Sequence, residues 1–444
     1  MTARGAAGRV TAVHRQTRGS MGWSLAFLVA AVAVAALDRD AGRWAPLHLF
    51  LVGSLLTAIV AATQFLAVTW SAAPAPADRL VLAQRSSLVV GAAGIVLARR
   101  LDAPGWVAAA FGALVVLTLV LLTVSLLRIR AGAAVDRFLP AVDAYLVATG
   151  FGIAGSVLGA TVAAGAWPEH HERLTATHLG LNLFGLVGIV VAGTLPYMVA
   201  TQARTKRSDR ATPGAVWAVV ATMAAASAVM AIGALADDER LRASGLAVDA
   251  LAVVALVRLL PRLGRRQFGW AGPRLVQLLS GIAWWAAMTA ALAWVAYDGG
   301  DPGPARVALV VGGYAQILTA SVAYLAPVVR GGGHVQLGRG LRRTRSWLAP
   351  VAGNVAGVAA LAESRAALVV AVGVWGLDAA ARAALALRRS GSAPVDPQVV
   401  ERHPGHEAEA GSAPERGEQC DADGEGHFAG EEEQRAAEPE EEQQ

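Results

Sequence analysis

The segment Arg173–Gln202 reads RLTATHLGLNLFGLVGIVVAGTLPYMVATQ, and between Arg173 and Arg204 there is no Asp, Glu, Lys or Arg. At ~1.5 Å of rise per residue, a helix of this length crosses a hydrocarbon core of about 30 Å. Outward from it the pattern repeats in both directions. Of 444 residues, 55% are hydrophobic and 16% are charged, against about 25% charged in ordinary globular chains. The charges gather in short clusters, and the apolar runs between them are read as spans near 21–37, 45–71, 85–99, 104–127, 138–165, 173–202, 213–235, 243–260, 271–297, 304–329, 346–362 and 366–387. The expected fold is all-α, a polytopic membrane helix bundle of about twelve transmembrane helices.

Orientation follows from the basic residues, which accumulate on the cytoplasmic side of membrane proteins. With the N-terminus inside, the inner loops hold Arg128, Arg130 and Arg137; Arg204, Lys206, Arg207 and Arg210; Arg258, Arg262, Arg265 and Arg266; and Arg330, Arg339, Arg342, Arg343 and Arg345. The outer loops read WPEHHER, ADDER and DGGDPGPAR, and only Arg99–Arg100 runs against the rule. Both termini are then expected in the cytoplasm and the protein in the inner (plasma) membrane.

The net charge of +5 conceals two opposed parts. Residues 391–444 hold sixteen Asp/Glu against three Arg, a balance of −13 that leaves +18 for the rest. The division is therefore a basic cytoplasmic segment (1–20), a membrane domain (21–390) and an acidic tail (391–444). The tail is too poor in large apolar residues to offset chain entropy and is expected to be disordered. The basic residues sit at helix ends, where they meet lipid headgroups; lipid is the expected partner and nucleic acid is not. A single cysteine, Cys420, excludes a disulfide framework or a Cys-based metal site.

Polar side chains within spans are costly there and form the functional shortlist. His48 opens the second span in PLHLFLVGSLL, and His178 lies early in the sixth. Both come about one turn past the outer boundary, so the imidazoles share a depth. One turn below His178 stand Asn182 and then Gly185, on one helical stripe where another helix or a flat cofactor could approach. Imidazole is a common ligand of haem iron and of copper, which makes His48 and His178 candidate metal ligands, with Asn182 beside them. A histidine at this depth also serves simply as a hydrogen-bonding group. His170 and His171 in the outer loop before the sixth span are read as solvated, with a second reading as additional ligands from above. Asp143, Asp249 and Asp378, with Asn354, Gln64 and Gln316, are the other polar groups placed within spans. The loop RGGGHVQLGRGLRRTRS lacks the order of a phosphate-binding loop and is read as a flexible basic connection.

Twelve spans with both termini inside, a histidine near the outer end of the second and another in the sixth, resemble subunit I of the haem–copper oxidases. The likeness is closer to reduced bacterial relatives of the nitric-oxide-response and actinobacterial copper-oxidase-like type. Their sixth-span motif, HxHLNxxGxxGxxxxGTLxxxxP, is similar to HLGLNLFGLVGIVVAGTLP here, with Gly180 in place of the second histidine. The resemblance implies a pseudo-threefold ring of four-helix units in which the second, sixth and tenth spans are equivalent. It places His48 where an axial ligand of the low-spin haem lies, and His178 where a copper ligand lies. The seventh span, AVWAVVATMAAASAVMAIGALA, and the tenth contain no histidine, so an oxygen-reducing binuclear centre cannot be assembled. The expectation is a non-oxidase membrane protein holding one haem or copper for electron transfer or sensing, with a partner subunit or redox protein. Two alternatives stay open: a secondary transporter using Asp249, Asp378 or Asn354, and a membrane scaffold without cofactor.

Overall fold

The structure is a computed structural model and describes residues 3–38, 42–331 and 333–387. The chain divides into two units, Met1–Arg388 and Arg389–Gln444. The acidic tail expected at 391–444 lies outside the described residues.

Among the described residues every regular element is helical. The helices are α1 (Ala3–Leu37), α2 (Trp44–Ser71), α3 (Asp78–Arg100), α4 (Gly105–Ala131), α5 (Asp136–Ala163) and α6 (Pro168–Ala203). There follow α7 (Pro213–Ala236), α8 (Glu239–Arg258), α9 (Pro273–Asp298), α10 (Gly303–Arg330), α11 (Leu348–Leu361) and α12 (Arg365–Leu387). Ten of these are long and apolar enough to cross a membrane, which makes this a multi-pass membrane protein. The other two are α8, which carries Arg242, Asp249 and Arg258, and α11, which is short.

Several boundaries differ from the sequence reading, and at three places polar residues that the reading left outside helices lie within them or pack on them. The basic segment before the first span is continuous with it in α1, where Val13 and Thr17 are buried. Gln16 ties that extension to the α2–α3 connection, donating from Nε2 to Pro76 O at 2.9 Å and to Asp78 Oδ1 at 2.7 Å. Helix α3 begins at Asp78, seven residues before the expected edge, and Asp78 also pairs with Arg15 at 2.5 Å. The glycine-rich loop contains a short helix, Gly333–Arg343, with Leu341 buried and Thr344 donating to Ala323 O of α10 at 3.3 Å.

Each helix packs against the next in the chain, and α12 packs back on α1. Helices α2, α6 and α10 run through the interior and are the most deeply buried spans. In each of them the α-helix widens into a π-helical stretch: Leu49–Leu55, Leu181–Gly188 and Leu309–Tyr314. A glycine in each stretch receives an aromatic ring from the preceding helix. A Cβ on Gly53 would lie 2.5 Å from the Phe27 ring of α1, one on Gly185 2.7 Å from Phe151 of α5, and one on Gly312 2.8 Å from Trp284 of α9. Real Cβ atoms do not approach so closely, so glycine is required at all three positions. The sequence repeats this arrangement at the first and second, fifth and sixth, and ninth and tenth helices.

Polar groups within the bundle are mostly paired, as a low dielectric demands. Gln84 of α3, fully buried, accepts from Gln64 Nε2 at 2.9 Å and donates to Ser125 Oγ and Leu121 O of α4, each at 2.9 Å. On the far side Gln277 donates to Thr319 Oγ1 at 2.8 Å, and Tyr314 donates to Leu183 O at 2.8 Å. The last of these joins α10 to α6 at their π-helical stretches.

Candidate functional site: the two membrane histidines

His48 closes the first turn of α2, in the sequence Trp44-Ala45-Pro46-Leu47-His48, immediately before the π-helical stretch. Its ring stacks on Trp44 with centroids 4.0 Å apart and an interplanar angle of 26°, and its Nδ1 lies 3.0 Å from Trp44 O. Arg99, from the end of α3, covers the same indole at 4.6 Å. The arginine pair that ran against the orientation rule therefore has work at this end of the bundle: Arg99 caps Trp44, and Arg100 pairs with Asp38 after α1.

His178 stands one turn ahead of the second π-helical stretch, in α6. Its Nδ1 lies 2.7 Å from Gly155 O of α5. Asn182 donates to His178 O at 2.8 Å and sits 3.3 Å from His178 Nδ1. Helix α5 can approach this closely only through glycine. A Cβ on Gly159 would lie 2.5 Å from His178 Cε1, and one on Gly155 2.4 Å from Asn182 Nδ2. The stripe His178–Asn182–Gly185 thus faces α5, with Phe151 over Gly185. Of the two occupants the sequence allowed for that stripe, a helix and a flat cofactor, the helix takes it.

In both rings Nδ1 lies within hydrogen-bond distance of a backbone carbonyl, which can only accept. Neither Nε2 has a hydrogen-bond partner among the described residues. Metal-bound histidines commonly have their second ring nitrogen held by a carbonyl in this way. Imidazole nitrogens are donors of the kind that a metal ion or haem iron takes. The pair is not part of a larger cluster: no group of three or more His, Cys, Asp or Glu able to hold a metal occurs among the described residues. His170 and His171 do not join the pair; His170 is exposed and lies 3.9 Å from Glu169.

Two cavities open close by, and neither is lined by a histidine. One lies between α6, α8 and α10 against Gly180, Leu183, Arg242 and Arg306. The other lies deeper between the three interior helices, against Leu55, Ile59, Val190, Leu195 and Tyr314.

The chain matches no known family when compared with family models, and no curated protein matches it in sequence. The assignment of the site accordingly rests on its own geometry.

The remaining polar candidates separate clearly. Asp143 pairs with Arg130, and Asp378 lies 2.8 Å from Arg382 while accepting from Ser346 Oγ at 2.7 Å. Asn354 accepts from Trp284 Nε1 at 2.8 Å and donates to Pro350 O at 2.7 Å. Gln316 donates to Gly312 O at 2.8 Å. Asp249 differs from all of these. It is 1% exposed in the middle of α8, and neither carboxylate oxygen has a partner among the described residues. Sequence position marked it as polar within a span, but its isolation depends on neighbours that the sequence does not identify.

Proposed function

We propose that the chain is a twelve-span membrane protein built on the plan of haem–copper oxidase subunit I, with both termini in the cytoplasm, and that His48 and His178 hold one haem iron or one copper ion through Nε2. The observation that carries the architecture is the threefold recurrence of an aromatic ring seated on a glycine within a π-helical stretch. It occurs at helices whose sequence numbers differ by four, as a ring of four-helix units requires. Helices α8 and α11 complete the twelve. Inserted turns of π-helix are frequent at functional sites, and two of the three begin within a turn of a histidine.

The metal centre would supply a one-electron couple or a site for a small diatomic ligand; the protein's own residues set its surroundings. Trp44 O and Gly155 O orient the rings, Asn182 holds the backbone at His178, and Arg99 adds positive charge above Trp44. With only two histidine donors, oxygen reduction is not the activity; electron transfer or sensing, with a redox protein or partner subunit, is the function this site supports.

An absorption spectrum and metal analysis of detergent-purified protein from haem- and copper-replete cells test the proposal. A Soret band or one copper per chain is expected, lost in His48→Ala and in His178→Ala. Colourless, metal-free protein of normal stability would falsify it. One observation favours a second reading: Asp249, a carboxylate alone within the bundle, suits a proton- or cation-coupled transporter. Ion-dependent uptake into vesicles that Asp249→Asn abolishes, with no metal bound, would establish that reading instead.

A further inference from the structure

Arg274 occupies the first turn of α9 and is 4% exposed, yet its Nε and Nη2 have no hydrogen-bond partner among the described residues. None of the described ion pairs includes it. A guanidinium keeps its proton at any physiological pH, so this is a positive charge largely withdrawn from water without a counter-ion, an arrangement that an anion would stabilise.

The surroundings add positive charge. Arg345 runs beside Gly272, 3.5 Å from where a Cβ would stand, and donates to Trp270 O at 2.5 Å and Gly269 O at 3.3 Å. Arg204 lies 3.5 Å over the Trp270 ring, and Tyr324 faces Arg274 at 5.7 Å. The last turn of α6, which packs on the short helix Arg265–Ala271 and on α9, carries Gln202, fully buried with both amide atoms unpartnered. Arginine interleaved with Trp and Tyr at the end of a membrane helix marks the depth of lipid phosphates, and the N-terminal turn of α9 presents its positive dipole end to the same place.

We propose that Arg274 anchors the phosphate of an anionic phospholipid headgroup between the inner ends of α6, α9 and α10. The guanidinium provides two N–H donors to the phosphate oxygens, and Arg345 and Arg204 supply the surrounding field. Trp270 and Tyr324 flank the glycerol end of the lipid. The site is independent of the histidine pair and needs only that the bundle lies in a membrane.

Full-length protein in mild detergent is examined by native mass spectrometry, and its thermal unfolding is followed with added phosphatidylglycerol, phosphatidylcholine or inorganic phosphate. Phosphatidylglycerol is expected to remain bound and to raise the unfolding temperature well beyond phosphatidylcholine. Arg274→Gln should weaken its retention about tenfold, the loss of charged hydrogen bonds, and Arg274→Lys less. Should Arg274→Gln fail to fold, the comparison of lipids on the unaltered protein decides. Equal stabilisation by phosphatidylcholine, or by inorganic phosphate, overturns the headgroup assignment. So does unchanged lipid retention in Arg274→Gln. If no lipid phosphate is bound and Arg274→Gln instead speeds proteolysis of residues 391–444, the acidic tail is the occupant and the proposal fails.

Discussion

The carbonyl oxygen of Gly155 lies 2.7 Å from Nδ1 of His178, so α5 holds the orientation of a ring carried by α6. The contact depends on the missing side chains at Gly155 and Gly159. Gly159→Val is expected to drive its Cβ into the imidazole, cost about 1–3 kcal/mol from overpacking, and remove the metal signal together with the ring position. Gly150→Ala is the matched control, because a Cβ there meets nothing within 4 Å. Thermal unfolding and metal content of the two variants make the comparison.

Two ion pairs of the bundle are expected to differ in weight. Arg100–Asp38 is partly open, with side chains 43% and 27% exposed, whereas Arg382–Asp378 is closed at 10% and 11%. Arg100→Ala should cost less than about 1 kcal/mol. Arg382→Ala strands the Asp378 carboxylate and should cost about 3 kcal/mol or more. Unfolding titrations in mixed micelles measure both, and equal losses would contradict the burial argument.

Gln84 links three helices through Gln64, Ser125 and Leu121. Replacing it by leucine keeps the volume but leaves those partners unsatisfied. The expected destabilisation is about 1–2 kcal/mol, moderated because an unfolded membrane helix also finds partners. Gln84→Glu should be worse, since it buries a charge. A stability gain in Gln84→Leu would show that the network opposes folding instead of supporting it.

Asp249 has no hydrogen bond to lose. Asp249→Asn is therefore expected to leave helicity and unfolding temperature unchanged or slightly raised, and to leave bound metal in place. Metal loss in this variant would tie Asp249 to the histidine site, which no contact between them supports.

The orientation is tested by reporter fusions. Those placed after Arg207 and after Arg343 should report cytoplasm, and one near Asp238 should report the opposite side. A cytoplasmic signal at Asp238 would require a different number of crossings between Arg207 and that point.

Fold class was readable in the sequence because desolvation of charge acts residue by residue: a run without Asp, Glu, Lys or Arg has few alternatives to a membrane helix. Helix ends were less readable. Asp78 and Gln16 meet each other across 62 residues, and Arg99 covers Trp44 from a different helix. At the histidines, residue type and place in the helix could be read from the sequence, whereas ring orientation could not. It is set by Gly155 and Gly159, which belong to another helix and carry no side chain to announce the contact. The solitary state of Asp249 and Arg274 was hidden for the same reason, since lacking a partner is a property of the whole surroundings.

The closure of α12 on α1 has a consequence for how the protein is made. The first helix to leave the ribosome must wait for the last before that flank is covered, so the contact forms only when synthesis has passed residue 387. Chains stopped before Arg365 would present an unsealed edge to the quality-control proteases of the membrane, and their lifetime in cells should fall sharply at that point of truncation.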